Sequence, residues 1–343
     1  MMKSADTPST IQSAEMSAAA GKPLRIVHLS DPHLPIHIAP TLPQLCSKRI
    51  LGWMNWQRRR HHHQPQVLQA ICDDIAEQSP DHILVSGDLV NIALPTEFEH
   101  ALTWLQSLGP GSRVHFAPGN HDTYVKLPFS EGIGRFTPFM MGMRNGEYRA
   151  PTDFDDVPYH LDFGHTAVIA LNSSPSTGPG LATGKIGEKQ LAYLDKLLAD
   201  PSLANRCVIV MLHHPAIAGM VSAHKKLLDG QALCDITERH EVDLVIHGHT
   251  HVPGYEAING KIPHIGVASA SYGGKGEAAD QDGYLPAAQY HLYTVSPGEA
   301  GCSVQLEVRG LDLASGRVST LKHIGIHSPQ NGGFRGEFSD LAP

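Results

Sequence analysis

The sequence predicts an α/β fold. Short apolar runs alternate with amphipathic segments between residues 24 and 251, as in strands joined by helical crossovers. The helical pattern then stops, and the apolar segments that follow are expected to be strands joined by turns. Polar side chains of the metal-ligating type stand directly after the carboxyl ends of the apolar runs. Ligands of open α/β sheets bind beyond those strand ends, so the same pattern predicts where the site lies.

The individual elements follow from the spacing of apolar residues. Strands are predicted at 24–30, 82–88, 165–174 and 206–215, and strands that run into a polar loop at 113–122 and 242–251. Later strands are predicted within 261–271, 289–297 and 302–312. Helices are predicted at 65–78, 95–108, 187–199 and 223–240. Pro65 suits a first helical turn, because the N–H that proline lacks has no partner there.

Composition bounds the class of protein. The chain has 343 residues, of which 41% are hydrophobic and 17% charged, so a sizeable core is expected. Its net charge of −8 argues against a nucleic-acid partner, because nucleic-acid binders need a positive surface to displace counterions. Five cysteines without a CxxC pair predict buried, reduced thiols, which suits a reducing compartment.

The two ends of the chain are expected to lie outside the folded domain. Residues 1–22 are rich in Ser and Ala and contain no apolar core of a signal peptide, so a disordered lead is expected. Residues 328–343 have the composition of a flexible tail. No window of ~18 apolar residues occurs, so no membrane-spanning helix is expected. These observations predict a folded domain at 23–327 of a cytoplasmic protein.

Candidate metal ligands follow five of the predicted strands. They are Asp31 and His33, Asp88, Asn120 and His121, His213, and His249 and His251. Carboxylate, imidazole and amide oxygen together suit Mn, Fe, Zn or Co better than Ca or Mg. One residue separates the members of the first pair and of the last, so each pair can face two neighbouring ions. Two divalent ions bridged by a carboxylate such as Asp88 would clamp the attacking and leaving oxygens of a phosphoryl displacement.

Five short motifs occur in a fixed order along the chain. They are DPH (31–33), GD (87–88), GNHD (119–122), HHP (213–215) and GHTH (248–251). In this order they resemble the signature of the calcineurin-like metallophosphoesterase superfamily, which runs D-x-H, GD, GNH[DE], H and GHxH. The resemblance covers about residues 24–270 and includes the branch of cyclic nucleotide phosphodiesterases and UDP-diacylglucosamine hydrolases. It implies a four-layer α/β/β/α sandwich of two mixed sheets flanked by helices, with a dinuclear metal centre.

The resemblance also implies roles for individual residues. It assigns Asp31, His33 and His251 to the first metal ion, Asn120, His213 and His249 to the second, and Asp88 to the bridge. His213 and His214 compete for one ligand position; the family pattern selects His213 and leaves His214 as a supporting or substrate-facing residue. His121 corresponds to the catalytic histidine, which protonates the leaving group or stabilises the phosphoryl charge. Asp122 is expected to orient it, and a metal-bridging hydroxide is expected to attack in line.

The segment 36–64 is longer than a simple βα loop and is expected to influence the choice of substrate. It contains no Asp or Glu and combines Trp53 and Trp56 with Arg58 and Arg59. Its second half predicts a short amphipathic helix, whose Arg side chains suit phosphate oxygens and whose Trp rings offer stacking faces. The alternative is a helix that packs its tryptophans on the domain and leaves its arginines in solvent.

Three further expectations concern residues around the site. The histidines at 61–63 are expected in solvent rather than at a third metal ion. A second insertion, 124–156, contains a Phe- and Met-rich stretch at 132–143 that forms either an adaptable apolar cap or ordinary core. Asn172, at the end of a predicted strand, is a candidate polar contact at the edge of the site.

Three functions stay open at this point. The first is hydrolysis of a small phosphodiester or cyclic nucleotide. The second is a pyrophosphohydrolase acting on a lipid-linked nucleotide such as UDP-diacylglucosamine, with peripheral contact to a membrane. The third is a non-catalytic scaffold, against which the complete ligand set and His121 argue. The family resemblance also makes a homodimer a possibility.

Overall fold

Two mixed β-sheets form the centre of the structure. The computed structural model describes residues 21–274, 287–298, 301–312 and 315–327. The expected lead (1–22) and tail (328–343) lie outside these residues, apart from residues 21 and 22. Within the described ranges, helices flank a six-stranded and an eight-stranded sheet, which confirms the predicted four-layer α/β/β/α sandwich.

The described residues form the following elements. In chain order the strands are β1 (Leu24–Leu29), β2 (His82–Val85), β3 (Val114–Phe116), β4 (Gly142–Arg144), β5 (Glu147–Arg149), β6 (Tyr159–Asp162), β7 (Thr166–Ala170), β8 (Cys207–Met211), β9 (Leu244–His247), β10 (Gly254–Ile258), β11 (Ile262–Gly266), β12 (Gln289–Gly298), β13 (Gly301–Asp312) and β14 (Arg317–His327). The α-helices are α1 (Leu42–Leu45), α2 (Arg49–Arg59), α3 (Pro65–Gln78), α4 (Pro95–Leu108), α5 (Glu188–Leu198) and α6 (Gly230–Arg239). Short 3-10 helices occupy Phe129–Glu131, Ile133–Phe139 and Pro201–Leu203.

Each sheet has a parallel part from which the site is built. The first sheet has the order β14-β13-β12-β1-β2-β3, in which β1 pairs in parallel with β2 and antiparallel with β12. The second has the order β10-β11-β9-β8-β7-β6-β4-β5, with β7, β8 and β9 parallel. Every residue of β7 and β8 is buried, as expected for strands covered on both faces.

The apolar faces of the two sheets meet in one core. This cluster joins Val85 and Phe116 of the first sheet to Ile209 and Ile246 of the second. A second cluster lies between the second sheet and helices α5 and α6. All five cysteines are free. The predicted burial is confirmed for Cys207, Cys234 and Cys302, whereas Cys72 is half-buried and Cys46 is exposed. No helix among the described residues is long and apolar enough to cross a bilayer.

One element differs from the sequence prediction, and one open alternative is decided. The helix predicted at 223–240 begins only at Gly230. The preceding residues pair with a loop instead, since Leu227 forms a parallel bridge with Gly184 and the Leu228 N–H donates to the Gly184 carbonyl at 2.9 Å. The apolar stretch 132–143 is core rather than a cap. Phe136 is fully buried and its ring centroid lies 5.1 Å from that of Phe116.

Candidate metal centre

The seven predicted ligands converge at the carboxyl ends of five strands from both sheets. Asp31 and His33 follow β1, Asp88 follows β2, Asn120 follows β3, His213 follows β8, and His249 and His251 follow β9. Five of these residues have left-handed backbone conformations, with φ of 54° at Asp31, 40° at His33, 57° at Asp88, 69° at His249 and 60° at His251. Such values are uncommon for residues other than glycine, and they cluster at functional sites. The chain turns sharply after each strand and thereby aims these side chains at one point.

Four side chains form what we call the first ligand group: Asp31, His33, Asp88 and His251. Their potential ligand atoms all lie within 4.8 Å of one another. The His251 Nε2 atom is 3.2 Å from Asp31 Oδ1 and 3.2 Å from His33 Nε2. His33 Nε2 is 3.7 Å from Asp88 Oδ2. Two carboxylates and two imidazoles are therefore directed at one small volume.

Asp88 also belongs to the second ligand group, which it forms with His213 and His249. His213 Nε2 lies 3.4 Å from Asp88 Oδ2 and 3.2 Å from His249 Nδ1. The Asn120 amide oxygen is 3.2 Å from the same His213 nitrogen. The two groups thus share one carboxylate, which is the arrangement that the sequence motifs imply.

The chemistry of these groups fits bound cations. Asp31 Oδ1 is buried and accepts no hydrogen bond of good geometry, although His251 Nε2 lies 3.2 Å away; this is costly for a carboxylate oxygen unless an ion or a proton faces it. His213 Nδ1 donates to the Ser86 carbonyl at 2.7 Å, and His249 Nε2 donates to the Lys225 carbonyl at 3.0 Å. These contacts fix each ring and leave the other nitrogen for a metal ion, as in known metal sites.

Electrostatics supports the same conclusion. Burial lowers the pKa of His33 and of His249 well below the ordinary value, so both rings are neutral, as ligands must be. Burial alone would lower the pKa of His213, but the neighbouring Asp88 raises it to about 9. A cation bound beside Asp88 would replace the proton that His213 otherwise holds.

His121 lies at the edge of the ligand groups and lines the cavity above them. Its Nδ1 donates to the Asn91 carbonyl at 2.5 Å, and its ring stacks on Tyr124 with centroids 5.7 Å apart. These contacts direct Nε2 away from the Asn91 carbonyl. The ring is also edge-on to His33, at 4.9 Å.

Asp122 does not contact the His121 ring, contrary to the expectation that it orients the imidazole. Its carboxylate accepts four backbone N–H groups, from Gly119, Asp88, Leu89 and Val90, at 2.8–3.2 Å. The side chain is buried beneath the two loops that carry Asp88 and His121. It therefore holds the two loops together, and the Asn91 carbonyl takes the orienting role that the sequence suggested for Asp122.

Helix α2 forms one wall of the cavity, which has a volume of about 380 Å³. Of the four residues predicted in this helix, Trp56 and Arg59 line the cavity, whereas Trp53 and Arg58 do not. Trp53 stacks on Trp56, with centroids 4.9 Å apart, and packs with it against a small apolar cluster. The packing alternative holds for both tryptophans, whereas substrate binding by Trp56 and Arg59, which line the cavity, stays a prediction.

His214 and Asn172 lie outside the cavity lining. His214 is buried with Nδ1 2.9 Å from Ser173 Oγ and Nε2 3.1 Å from the Ala182 carbonyl, and its ring lies 4.4 Å from that of His249. The Asn172 amide oxygen accepts the Ser174 N–H at 3.0 Å. The structure therefore gives no support for substrate contacts by either residue, and His214 instead packs behind a predicted metal ligand.

The expectation that the three histidines at 61–63 lie in solvent is wrong for His63. This residue lines the cavity, and burial, followed by the nearby His251, lowers the pKa of its ring well below the ordinary value. Sequence reasoning also missed Lys48 and Asn55, which line the cavity with Arg59. Lys48 and Asn55 are seven residues apart, and Asn55 and Arg59 are four apart, which places all three on one face of a helix. This spacing is visible in the sequence alone.

Comparison with known proteins places this geometry in a family. The sequence model described as "Calcineurin-like phosphoesterase" matches residues 24–253. A probable cyclic nucleotide phosphodiesterase from Synechococcus sp. is 31% identical over 186 residues, which cover 53% of this chain and 62% of that protein. A manganese-dependent ADP-ribose/CDP-alcohol diphosphatase from Arabidopsis thaliana is 33% identical over 88 residues, 25% of this chain and 28% of that protein. The chain therefore spans less than two thirds of the length of either relative.

A solved structure shows the same fold. The purple acid phosphatase from yellow lupin (Lupinus luteus) seeds superposes with a TM-score of 0.54, at 14% identity, over 88% of this chain and 53% of that one. At this identity the likeness concerns the fold alone. The family match, in contrast, covers well over half of the chain and includes all seven predicted ligands. The chain belongs to the calcineurin-like phosphoesterase family.

Proposed function

We propose that this protein hydrolyses a phosphodiester bond of a small diester or a cyclic nucleotide, with residues 23–327 as its catalytic domain. The observation that carries the proposal is the pair of ligand groups that share Asp88 directly beneath a cavity lined by His121. The name of the Synechococcus relative, a probable cyclic nucleotide phosphodiesterase, supports the same substrate class.

The proposed cofactor is a pair of divalent ions, Mn, Fe, Zn or Co. In this proposal Asp31, His33 and His251 would hold one ion and Asn120, His213 and His249 would hold the other, with the Asp88 carboxylate available to both. Such ions supply positive charge to the phosphoryl oxygens and bring the pKa of water close to neutrality. The backbone carbonyls behind His213 and His249 keep these rings in one orientation, so the ligand set is formed before an ion binds.

His121 is the proposed proton donor to the leaving oxygen. With Nδ1 held by the Asn91 carbonyl, Nε2 is the atom that carries the transferred proton. Stacking on Tyr124 restricts rotation of the ring. A positioned acid of this type contributes about 10²- to 10⁴-fold to the rate.

The charge of the cavity wall favours an anionic substrate. Among the described lining residues, Asp88 is the single carboxylate, whereas Lys48, Arg59 and Lys225 are cationic. Trp56 adds an aromatic side chain to the same wall. A nucleotide has both features that this wall suits, a phosphate for the cations and a base for the ring.

A second candidate is a lipid-linked phosphoester at a membrane surface, and the outer face of α2 is the observation that favours it. At about 100° per residue, Ile50, Leu51 and Met54 share one face of the helix. They are 47%, 51% and 50% exposed, and Arg58 lies on the same side. An exposed apolar face beside arginine side chains is typical of helices that lie in the membrane interface.

The first test is turnover of the Mn-loaded protein on a panel of substrates. The panel holds bis(p-nitrophenyl) phosphate, p-nitrophenyl phosphate, cyclic AMP and UDP-diacylglucosamine, each with and without detergent. Cleavage of the diester and of cyclic AMP, abolished in Asp88→Ala, is the expected result. Preference for the lipid-linked nucleotide would favour the second candidate, and absence of turnover with metal bound would leave the non-catalytic scaffold.

A vesicle experiment separates the two candidates further. If the outer face of α2 binds membranes, the protein sediments with anionic vesicles, and Leu51→Glu with Met54→Glu abolishes this. Leu321→Glu is the matched control, since Leu321 is 46% exposed on β14, outside the inserted segment. Equal sedimentation of the three proteins would remove the support that this face gives to a lipid-linked substrate.

A further inference from the structure

We infer that His63 is an additional ligand at the first ligand group, donated by the inserted segment 36–64. The inference rests on the proposed metal centre and extends it, because the five motifs do not include His63. Its potential ligand atom lies within 4.8 Å of those of His33 and His251. The three histidines come from separate parts of the chain and converge on one volume.

The backbone places His63 beside the strand end that carries the site. His63 forms an antiparallel bridge with Tyr272, and the Gln64 N–H donates to the Ser271 carbonyl at 2.8 Å. Ala270 precedes Ser271 in the same segment, and its N–H donates to the Ser30 carbonyl at 3.0 Å. Ser30 is the residue before Asp31, so this segment lies beside the first ligand group. The position of His63 is thus fixed by the main chain, independently of its ring.

A hydrogen-bond chain then orients the ring. His63 Nδ1 lies 2.7 Å from Ser271 Oγ, which lies 3.4 Å from Ser269 Oγ. Ser269 Oγ donates to the main-chain carbonyl of Asp31 at 2.7 Å. The contact with Ser271 occupies Nδ1 and leaves Nε2 for a ligand, as the Ser86 carbonyl does behind His213.

Ring positions agree with this assignment. The centroid of His63 is 4.6 Å from that of His33 and 5.6 Å from that of His251. His61, two residues earlier, is exposed and makes ring contact with His62 instead. The sequence HHH thus holds one histidine directed at the site and one exposed histidine that serves as a control.

A third imidazole at the first ligand group has a chemical consequence. Imidazole suits Zn, Co and Fe, whereas carboxylate and water suit Mn. His63 therefore strengthens binding of Co²⁺ or Zn²⁺ more than binding of Mn²⁺. This difference separates a ligand from a residue that only contacts substrate, because a substrate contact does not change metal affinity in the absence of substrate.

The experiment is a metal titration of the full-length, EDTA-stripped protein without substrate. Wild type, His63→Ala, His63→Phe, Ser271→Ala and His61→Ala are titrated with Co²⁺ by visible absorption and with Mn²⁺ by calorimetry. Both His63 variants should bind one Co²⁺ at least ~10-fold more weakly and change its absorption band, with a smaller loss for Mn²⁺. Ser271→Ala should give a smaller effect, and His61→Ala none.

The phenylalanine variant keeps the ring volume and removes the nitrogens, so it tests the inference even if the alanine variant is unstable. Wild-type Co²⁺ affinity and an unchanged absorption band in His63→Phe would overturn the inference, whatever happens to turnover. Absence of metal binding by the wild type would overturn the metal centre itself. Metal binding that depends on His63, without diester cleavage, would refute only the proposed function.

Discussion

Replacement of Asp122 by asparagine tests whether this residue supports the fold or orients the His121 imidazole, the proposed proton donor. The carboxylate accepts the Asp88 and Gly119 N–H groups on Oδ2, and the Leu89 and Val90 N–H groups on Oδ1. An amide has one oxygen, so in either orientation its NH₂ group faces two buried N–H donors. Each unsatisfied buried donor costs about 1–3 kcal/mol, which gives a loss of about 2–6 kcal/mol.

Removal of the Asp122 charge is expected to stabilise the variant and so to offset part of this loss. Burial and the neighbouring Asp88 raise the pKa of Asp122 to about 7, so loss of its charge relieves part of the repulsion. A divalent ion bound by Asp88 weakens that repulsion. The metal-loaded protein should therefore show most of the loss, which we expect to be at least ~2 kcal/mol in the free energy of unfolding.

Urea unfolding of the metal-loaded protein, with steady-state kinetics on bis(p-nitrophenyl) phosphate, measures both effects. Asp229→Asn is the matched control, because the Asp229 carboxylate accepts the Ile186 and Gly187 N–H groups at 3.0 and 2.7 Å outside the ligand groups. It should lose about half as much stability and keep its activity. A fall in kcat of more than ~100-fold in Asp122→Asn, with unfolding within ~0.5 kcal/mol of wild type, would refute the structural role and restore the orienting one.

Three further outcomes are expected. His121→Ala should lower kcat by about 10²- to 10⁴-fold with unchanged metal content. The loss should be smaller for a p-nitrophenyl diester than for an alkyl diester, because p-nitrophenolate needs less help from a proton donor. Equal losses would exclude a proton-donor role. Gly52→Val should raise KM and lower the free energy of unfolding by about 1–3 kcal/mol. The reason is that a Cβ at Gly52 would lie 2.6 Å from Ile92 and 2.7 Å from the Tyr124 hydroxyl. Wild-type stability of this variant in urea would contradict the fixed position of α2. Burial lowers the pKa of His291 to about 3, so between about pH 6.5 and pH 3 only the unfolded chain takes up this proton and stability falls with decreasing pH. His291→Phe should reduce that slope by about 1.4 kcal/mol per pH unit in urea titrations, and an unchanged slope would count against a neutral buried ring.

The fold class and the family were predictable because their signals are local. Apolar runs with turn residues mark the parallel strands, and the helices predicted at 65–78 and 95–108 have those bounds in the structure. The motif residues stand at the carboxyl ends of parallel strands, β1 to β3 in one sheet and β8 and β9 in the other, and each sheet gathers its own motif residues at one edge. The topology of the fold therefore predicts that these short motifs meet in one site, and no distances are needed for that prediction.

The errors share a physical cause, which is pairing between distant parts of the chain. Asp122 looks like a partner of the adjacent His121, yet three of its four donors lie more than thirty residues earlier. The late start of α6 reflects a bridge to Gly184. His63 faces the site because its backbone pairs with Tyr272. Such contacts have no period and no composition signal, so single-sequence reasoning cannot find them.

The inserted helix α2 is held at both ends, which bears on how it controls the site. At its start, Lys48 Nζ donates to the Thr177 carbonyl at 2.7 Å, and Arg49 donates to the Ile92 carbonyl at 3.0 Å. Beyond its end, the segment is bonded to residues 271–273 through the main chain. Because both ends are held, we expect α2 to form a rigid wall of the cavity rather than a lid that opens on binding.

A rigid wall that also carried a metal ligand would couple the proposed metal binding to the proposed substrate binding. Arg59, Trp56 and His63 all line this cavity, and His63 lies beside His33 and His251. A displacement of α2 would therefore change metal affinity and KM together, whereas a mobile lid would change KM alone. Lys48→Ala removes the donor to Thr177 and the cation over the Tyr124 ring without touching any ligand. Loss of Co²⁺ affinity in this variant is the expected result; unaltered Co²⁺ binding with a raised KM would show that the wall and the metal centre are independent.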